Sequence, residues 1–148
     1  MIDSSIARRQ MVVHQIQARG ITSAAGIRAM NEVPREEFLG SDMREFAYED
    51  SPLPIGSGQT ISQPYIVAYM IDALDLEGGE RVLEVGTGSG YAAAVLARIA
   101  REVHTIERHA ALARTARATF ERLGYPNVHV IEGDGTRGWP RVPSPSMT

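Results

Sequence analysis

Gly86, Gly88 and Gly90 punctuate the stretch VLEVGTGSGY, directly after a short apolar run and before a run of small residues. A loop of this kind lets backbone N–H groups and a helix N-terminus approach a ligand closely. The dinucleotide fingerprint G-x-G-x-x-G requires glycine at position 91, where this chain has Tyr91. That spacing argues against a pyrophosphate and for a smaller nucleoside ligand. Acids follow at the carboxyl ends of the expected strands, where ligands bind in open α/β sheets. Glu107 comes at about the 20-residue spacing at which an acid hydrogen-bonds ribose hydroxyls. Asp134, in EGDG, can accept from the exocyclic amine of an adenine. Glu84, inside the loop motif, can order the loop or contact the ligand.

A second candidate lies upstream, in GSGQTISQPYIVAYM, where a polar turn runs into an apolar helix. Ser62 is either the cap of that helix or a hydroxyl held out for chemistry. The two roles are compatible, because a helix N-terminus also favours an anionic ligand. A covalent role is disfavoured, since no base is placed to activate the hydroxyl. His14, His104, His109 and His129 fall on expected helices or strands and read as structural or exposed. No metal site is expected.

Periodicity and punctuation place these residues on elements. Ile6, Val12, Val13 and Ile16 recur at helical spacing and predict an N-terminal helix stopped by Gly20. Thr22 is the expected cap of a second helix, which carries Ile27 and Met30 and ends before Pro34. PREEFLG predicts a short helical turn, and YEDSPLPIGSG, with two prolines and two glycines, a loop. Gln63-Pro64 opens a helix through Leu74, with Pro64 in the first turn, where a missing N–H costs nothing. RVLEV, EVHTIE and VHVIEGD read as strands separated by the helices YAAAVLARIA and RHAALARTARATFERLG, the latter closed by Gly124. This β-α-β-α-β order predicts parallel strands with right-handed crossovers, one half of a doubly wound sheet.

Composition narrows the function classes. A chain of 148 residues supports one domain and one sizeable core. With no cysteine there is no disulfide, thiolate metal site or thiol nucleophile. A net charge of -3 without a long basic run disfavours nucleic acid. No apolar run suggests a membrane span, and the first residues lack a signal-type segment. These features fit a cytoplasmic protein. Arg8 and Arg9 read as a solvated helix face.

VLEVGTGSGYAAAVLA, with Glu107 and GDG, resembles the class I S-adenosylmethionine-dependent methyltransferases. VPREEF, YEDSPLPIGSGQTISQPYIVAYM and GYPNVHVIEGDGTRGWP together resemble the protein-L-isoaspartate O-methyltransferase family, from about Val12 to Pro140. The resemblance implies a Rossmann-like doubly wound parallel sheet with an N-terminal helical extension. It implies an N-terminal helical and active-site segment over 1–78, an S-adenosylmethionine-binding half over 79–140 and an irregular tail over 141–148. It also implies methyl transfer from S-adenosylmethionine to the free α-carboxylate of L-isoaspartyl residues in damaged proteins, a repair reaction. On this reading Ser62 holds the acceptor carboxylate. Gln59, Thr60, Glu84, Gly86, Gly88, Gly90, Glu107, Asp134 and Gly135 form the cofactor site, Tyr65 borders it, and Ile55 and Ile61 pack inward.

A carboxylate acceptor has an unperturbed pKa of about 4 and needs no strong base. The lack of a Ser-His-Asp or Cys-His pattern is therefore in keeping with the resemblance. The family's sheet continues past a third strand, whereas PRVPSPSMT is proline-rich and unsuited to a central strand. The expectation is a sheet incomplete after the third strand, with RVLEV as an exposed apolar edge, self-association and weak activity. Two other readings stay open: a class I methyltransferase with a different acceptor, and a binding remnant without turnover. A nicotinamide dehydrogenase is disfavoured by Tyr91.

Overall fold

The computed structural model describes residues 3–139; the expected irregular tail at 141–148 lies outside them. Helix α1 (Ser4–Met11) starts at Asp3, whose carboxylate accepts the Ser5 N–H at 2.7 Å. The helix widens into a π segment (Val12–Ile16), tightens into a 3-10 turn (Gln17–Arg19) and ends where Gly20 turns left-handed. The wider winding changes which side chains face inward. Met11, Val12 and Ile16 are buried, whereas Ile6 and Val13, expected on the same stripe, are exposed. Helix α2 (Ala24–Glu32) is capped by Ser23 rather than Thr22, with Ser23 Oγ accepting the Gly26 N–H at 3.2 Å.

Two further expectations are corrected here. Arg8 does not lie on a solvated face. Its Nε donates to Tyr48 Oη at 2.8 Å and its Nη2 lies 3.3 Å from a Glu36 carboxylate oxygen, tying α1 to the 3-10 turn Arg35–Phe38. Arg9 is exposed. The expected loop around residues 48–58 contains a strand, β1 (Leu53–Gly56), which pairs antiparallel with β2 (Gln59–Ile61) so that Leu53 faces Ile61. Ser57 and Gly58 turn the chain between them with φ of 53° and 68°. Positive φ at both central residues is what a tight hairpin turn needs.

Helix α3 (Pro64–Leu74) leads to the parallel sheet. Strands β3 (Arg81–Val85), β4 (Glu102–Glu107) and β5 (Val128–Glu132) lie in the order β3-β4-β5, with Val85, Ile106 and Ile131 in register. Helix α4 (Tyr91–Ala97) connects β3 to β4, and α5 (Ala110–Leu123) connects β4 to β5. This is one half of a Rossmann-like doubly wound α/β fold, as expected. Fully buried Ala93 and Ala94 keep α4 close to the sheet. Phe38 joins the N-terminal segment to this half, its ring centroid 5.9 Å from Tyr91 and 6.1 Å from Phe120. Among the described residues β3 is paired on one side only, and its Leu83 and Val85 are 49% and 61% exposed. No helix of the described residues is long and apolar enough to cross a membrane.

Candidate functional site

A cavity of about 470 Å³ opens between the end of β2, helix α3, strand β3, the glycine loop and α4. That size falls in the range of small-molecule sites. Thr60, Ser62, Glu84, Gly86, Gly88 and Tyr91 are among its lining residues. The sites expected from two separated stretches thus share one wall and one opening. Gln59 and Glu107 lie outside the lining, as do Gly90, Asp134 and Gly135.

Glu84 lines this space half-buried, and its neighbours Leu83 and Val85 line it too, exposed along the β3 edge that is unpaired among the described residues. Glu84 Oε1 accepts from Thr105 Oγ1 at 2.7 Å, and Thr105 Oγ1 lies 2.6 Å from Thr87 Oγ1. Each hydroxyl carries one proton, so with Glu84 ionised Thr87 donates to Thr105 and Thr105 to the acid. Both threonines are buried. Burial pushes the Glu84 carboxyl up to about 7, opposed by the Thr105 hydrogen bond and assisted by the nearby Glu107 charge.

Glu107 is 4% exposed. Its Oε1 accepts the Gly88 N–H at 2.9 Å and its Oε2 the His109 N–H at 2.9 Å. One carboxylate therefore fastens the glycine loop to the start of α5. Each oxygen retains further acceptor capacity. Gly90 occupies the N-cap of α4 with φ 96°, and a Cβ there would sit 2.7 Å from Phe120 Cζ. At Gly86 a Cβ would meet nothing within 4 Å, so the open side of the loop faces the cavity.

Asp134 is exposed, and its Oδ1 accepts the Thr136 N–H at 3.0 Å and the Thr136 hydroxyl at 2.7 Å. These bonds hold its carboxyl below the usual range and cap the 3-10 turn Gly135–Arg137. Gly135 packs that turn on β3, where a Cβ would fall 2.2 Å from Val85 Cγ1. Ile61 is buried and Ile55 half-buried, as expected, and Tyr65 sits under the Arg19 guanidinium at 5.3 Å.

Ser62 is not the cap of α3. The N-cap position belongs to Gln63, which makes no side-chain capping bond and instead donates from Nε2 to Asp50 Oδ1 at 2.6 Å. Ser62 is exposed on the cavity wall, and its hydroxyl makes no hydrogen bond among the described residues. Its carbonyl accepts from Arg35 Nη2 at 3.0 Å. Arg35, Thr87 and Thr105 escaped the sequence reading. Thr105 had one available signal, since strand alternation puts it on the same face as Glu107. Arg35 stands in an ordinary charged turn, and nothing local marks it as buried.

One grouping among the described residues could present three metal-ligating atoms to a point: Glu102, His104 and His129, with those atoms within 4.8 Å of one another. It lies at the start of β4, the opposite end from Glu107. The two imidazoles stack at 4.9 Å with 26° between planes.

Comparison with known proteins follows the same lines. The family model for protein-L-isoaspartate(D-aspartate) O-methyltransferase matches residues 7–145. The chain is 65% identical over 133 residues to Protein-L-isoaspartate O-methyltransferase 1 of Rhodopseudomonas palustris, covering 90% of this chain and 54% of the relative. It is 61% identical over 133 residues to Protein-L-isoaspartate O-methyltransferase 2 of Pelobacter propionicus, covering 90% and 59%. A solved protein-L-isoaspartate O-methyltransferase superposes with TM-score 0.81 at 35% identity, covering 89% of this chain and 44% of that one. A beta-aspartate methyltransferase from Plasmodium falciparum, in complex with S-adenosyl-L-homocysteine, superposes with TM-score 0.72 at 25% identity, covering 85% and 62%. The chain thus spans little more than half the length of these two curated relatives. With a half-Rossmann sheet carrying the glycine loop, and with this match along most of its length, the chain belongs to the protein-L-isoaspartate(D-aspartate) O-methyltransferase family.

Proposed function

We propose that this chain binds S-adenosylmethionine and that its site serves methyl transfer to the α-carboxylate of L-isoaspartyl residues in damaged proteins and peptides. The observation that carries the proposal is the shared cavity: Ser62 lines it together with Glu84 and the loop glycines Gly86 and Gly88. Family membership supports the reaction class, and the relative in complex with S-adenosyl-L-homocysteine supports the donor.

The residues present fit such a donor. The cavity has the size of a nucleoside-ligand site and runs along β3 from Val82 to the glycine loop at the strand's carboxyl end. Glu107 and Asp134 lie outside the cavity's lining, at the ends of β4 and β5, and keep acceptor capacity for ribose hydroxyls and an adenine amine reaching past it. Gln59, Thr60, Gly90 and Gly135 complete the proposed surround. Glu84, with its carboxyl raised to about 7, is suited to meet a cationic amino group, which would favour its ionised form. When bound, S-adenosylmethionine supplies a methyl group on a positively charged sulfur.

Ser62 donates a hydrogen bond to the acceptor carboxylate and holds it in place. An ordinary carboxylate is already ionised at neutral pH, so no residue has to remove a proton. The chain's contribution is alignment and exclusion of water. The test is transfer of labelled methyl to isoaspartyl and aspartyl versions of one peptide, with calorimetry against S-adenosylhomocysteine. Label on the isoaspartyl version alone supports the reading. Equal labelling, or binding of the nucleoside without any transfer, refutes it for this chain.

The open β3 edge, with Leu83 and Val85 exposed, supports self-association as part of the same proposal. A single monomer mass across a concentration series in sedimentation equilibrium would overturn it. The compartment proposed is the cytoplasm, and cell fractionation tests it.

A further inference from the structure

Arg35 is the most completely buried charged side chain described, at 0% exposure. Its Nε donates to the Ala47 carbonyl at 2.6 Å and its Nη2 to the Ser62 carbonyl at 3.0 Å. Its guanidinium carbon lies 4.8 Å from the centroid of the Tyr91 ring, and its own N–H donates to Tyr48 Oη at 3.1 Å. Nη1 has no hydrogen-bond partner, and no carboxylate pairs with Arg35 among the described residues. Burying an arginine without a counter-charge is costly, and carbonyl oxygens and an aromatic face recover only part of that cost. A residue kept at such expense is expected to hold something in place.

The bonds say what is held. Among the described residues the Ser62 carbonyl is the cavity group to which Arg35 hydrogen-bonds, and Tyr91, under its guanidinium, is the first residue of α4 after the glycine loop. Both line the cavity, one on the acceptor side and one on the loop side. The Ser62 hydroxyl has no bond of its own among the described residues, and the N-cap of α3 makes no side-chain capping bond. The guanidinium therefore supplies the hydrogen bond that fixes where the Ser62 backbone sits. Its planar fork reaches two carbonyls while lying on a ring, which a single ammonium cannot reproduce.

We propose that Arg35 is a positioning residue, which fixes Ser62 against the glycine-loop side of the cavity and so sets where an acceptor carboxylate is held. The functional half of this inference rests on the reading of Ser62 given above. The positional half does not.

The experiment compares the chain with R35K and R35M by hydrogen exchange and then by methyl transfer. In R35M, amides over residues 59–66 are expected to exchange about ten- to a hundredfold faster, because a charged hydrogen bond to that segment is lost. Amides over α5 (residues 110–123) should be unchanged, and R35K should fall between. In the transfer assay KM for the isoaspartyl peptide should rise about tenfold, with KM for the donor unaltered. Unchanged exchange over 59–66, or an equal rise over α5, overturns the proposal and leaves Arg35 a general core residue. If R35M does not fold, R35K carries the same comparison, since lysine keeps the charge but not the fork. If the unaltered chain methylates no isoaspartyl peptide, the functional reading fails while the exchange data still decide what Arg35 holds.

Discussion

Replacing Gly90 by alanine tests the physical reason for the glycine loop, and Gly86 provides its own control. Both residues have nearly the same left-handed backbone, φ 96° and 92°. An L-residue there costs about 1–2 kcal/mol at either position. The surroundings differ. A Cβ at Gly86 meets nothing within 4 Å, whereas at Gly90 it falls 2.7 Å from Phe120 Cζ. Phe120 cannot swing away cheaply: it is 4% exposed and packed against Phe38 and Tyr125 at 6.1 and 6.0 Å between centroids. Overpacking of this kind adds about 1–3 kcal/mol. G86A should therefore cost about 1–2 kcal/mol and G90A about 2–5. For a chain of this size the Tm shifts are roughly 3–6 °C and roughly 6–15 °C. Thermal melts followed by circular dichroism read both. In a double-mutant cycle with Phe120→Leu, the ring's far edge is gone, and about 1–3 kcal/mol of the G90A cost should disappear. Equal Tm shifts for the two alanine variants, or strict additivity of G90A with F120L, would refute the steric argument.

Three further outcomes are expected. Ser62→Ala should leave Tm and S-adenosylhomocysteine affinity unchanged, because the hydroxyl has no partner here, while kcat/KM for an isoaspartyl peptide falls about tenfold to a hundredfold; a large Tm loss would make Ser62 structural. Glu84 has a folded carboxyl raised to about 7, so its contribution to stability is full below the unfolded value near 4.5 and is lost as pH rises through about 7. Denaturant melts at pH 4.5 and 7.5 should therefore differ less in E84Q than in the unaltered chain, by up to about 3 kcal/mol, and an identical pH slope would refute the assignment. Glu107→Gln keeps an acceptor for only one of the Gly88 and His109 N–H groups, which should cost about 1–3 kcal/mol and weaken S-adenosylhomocysteine binding by calorimetry. Wild-type stability of E107Q would show that the carboxylate does not fasten the loop.

The alternating strands and helices from Arg81 to Glu132 were legible in the amino-acid sequence because their signals are local. Short apolar runs, a glycine loop, small-residue helices and the Gly124 stop each act within a few residues. The position of Glu107 and Asp134 at strand ends followed from the same frame, since strand ends are where such a sheet offers its crevice. The β1–β2 hairpin was not legible: Pro54 lies within β1 and Pro52 just before it, and the pairing of Leu53 with Ile61 bridges the turn, so the prolines hid the strands. The choice of Ser23 over Thr22 as a cap depends on one residue of winding. The inward face of the first helix depends on a π segment that period counting does not anticipate.

The burial and partners of charged side chains are the properties that escaped, because they belong to pairs of residues far apart in the chain. Arg8 and Arg35 look alike as surface cations, yet one bonds Tyr48 and Glu36 and the other lies under Tyr91 and holds Ser62. Glu84 looks like any strand acid until burial raises its carboxyl, with the Thr105 hydrogen bond opposing the shift and the Glu107 charge adding to it. Residue types and spacing pointed to the proposed chemistry, through a glycine loop followed by acids and a hydroxyl nearby. Packing told which of those groups share a cavity, because the distance from Ser62 to the glycine loop is set by the arginine and the aromatic side chains between them.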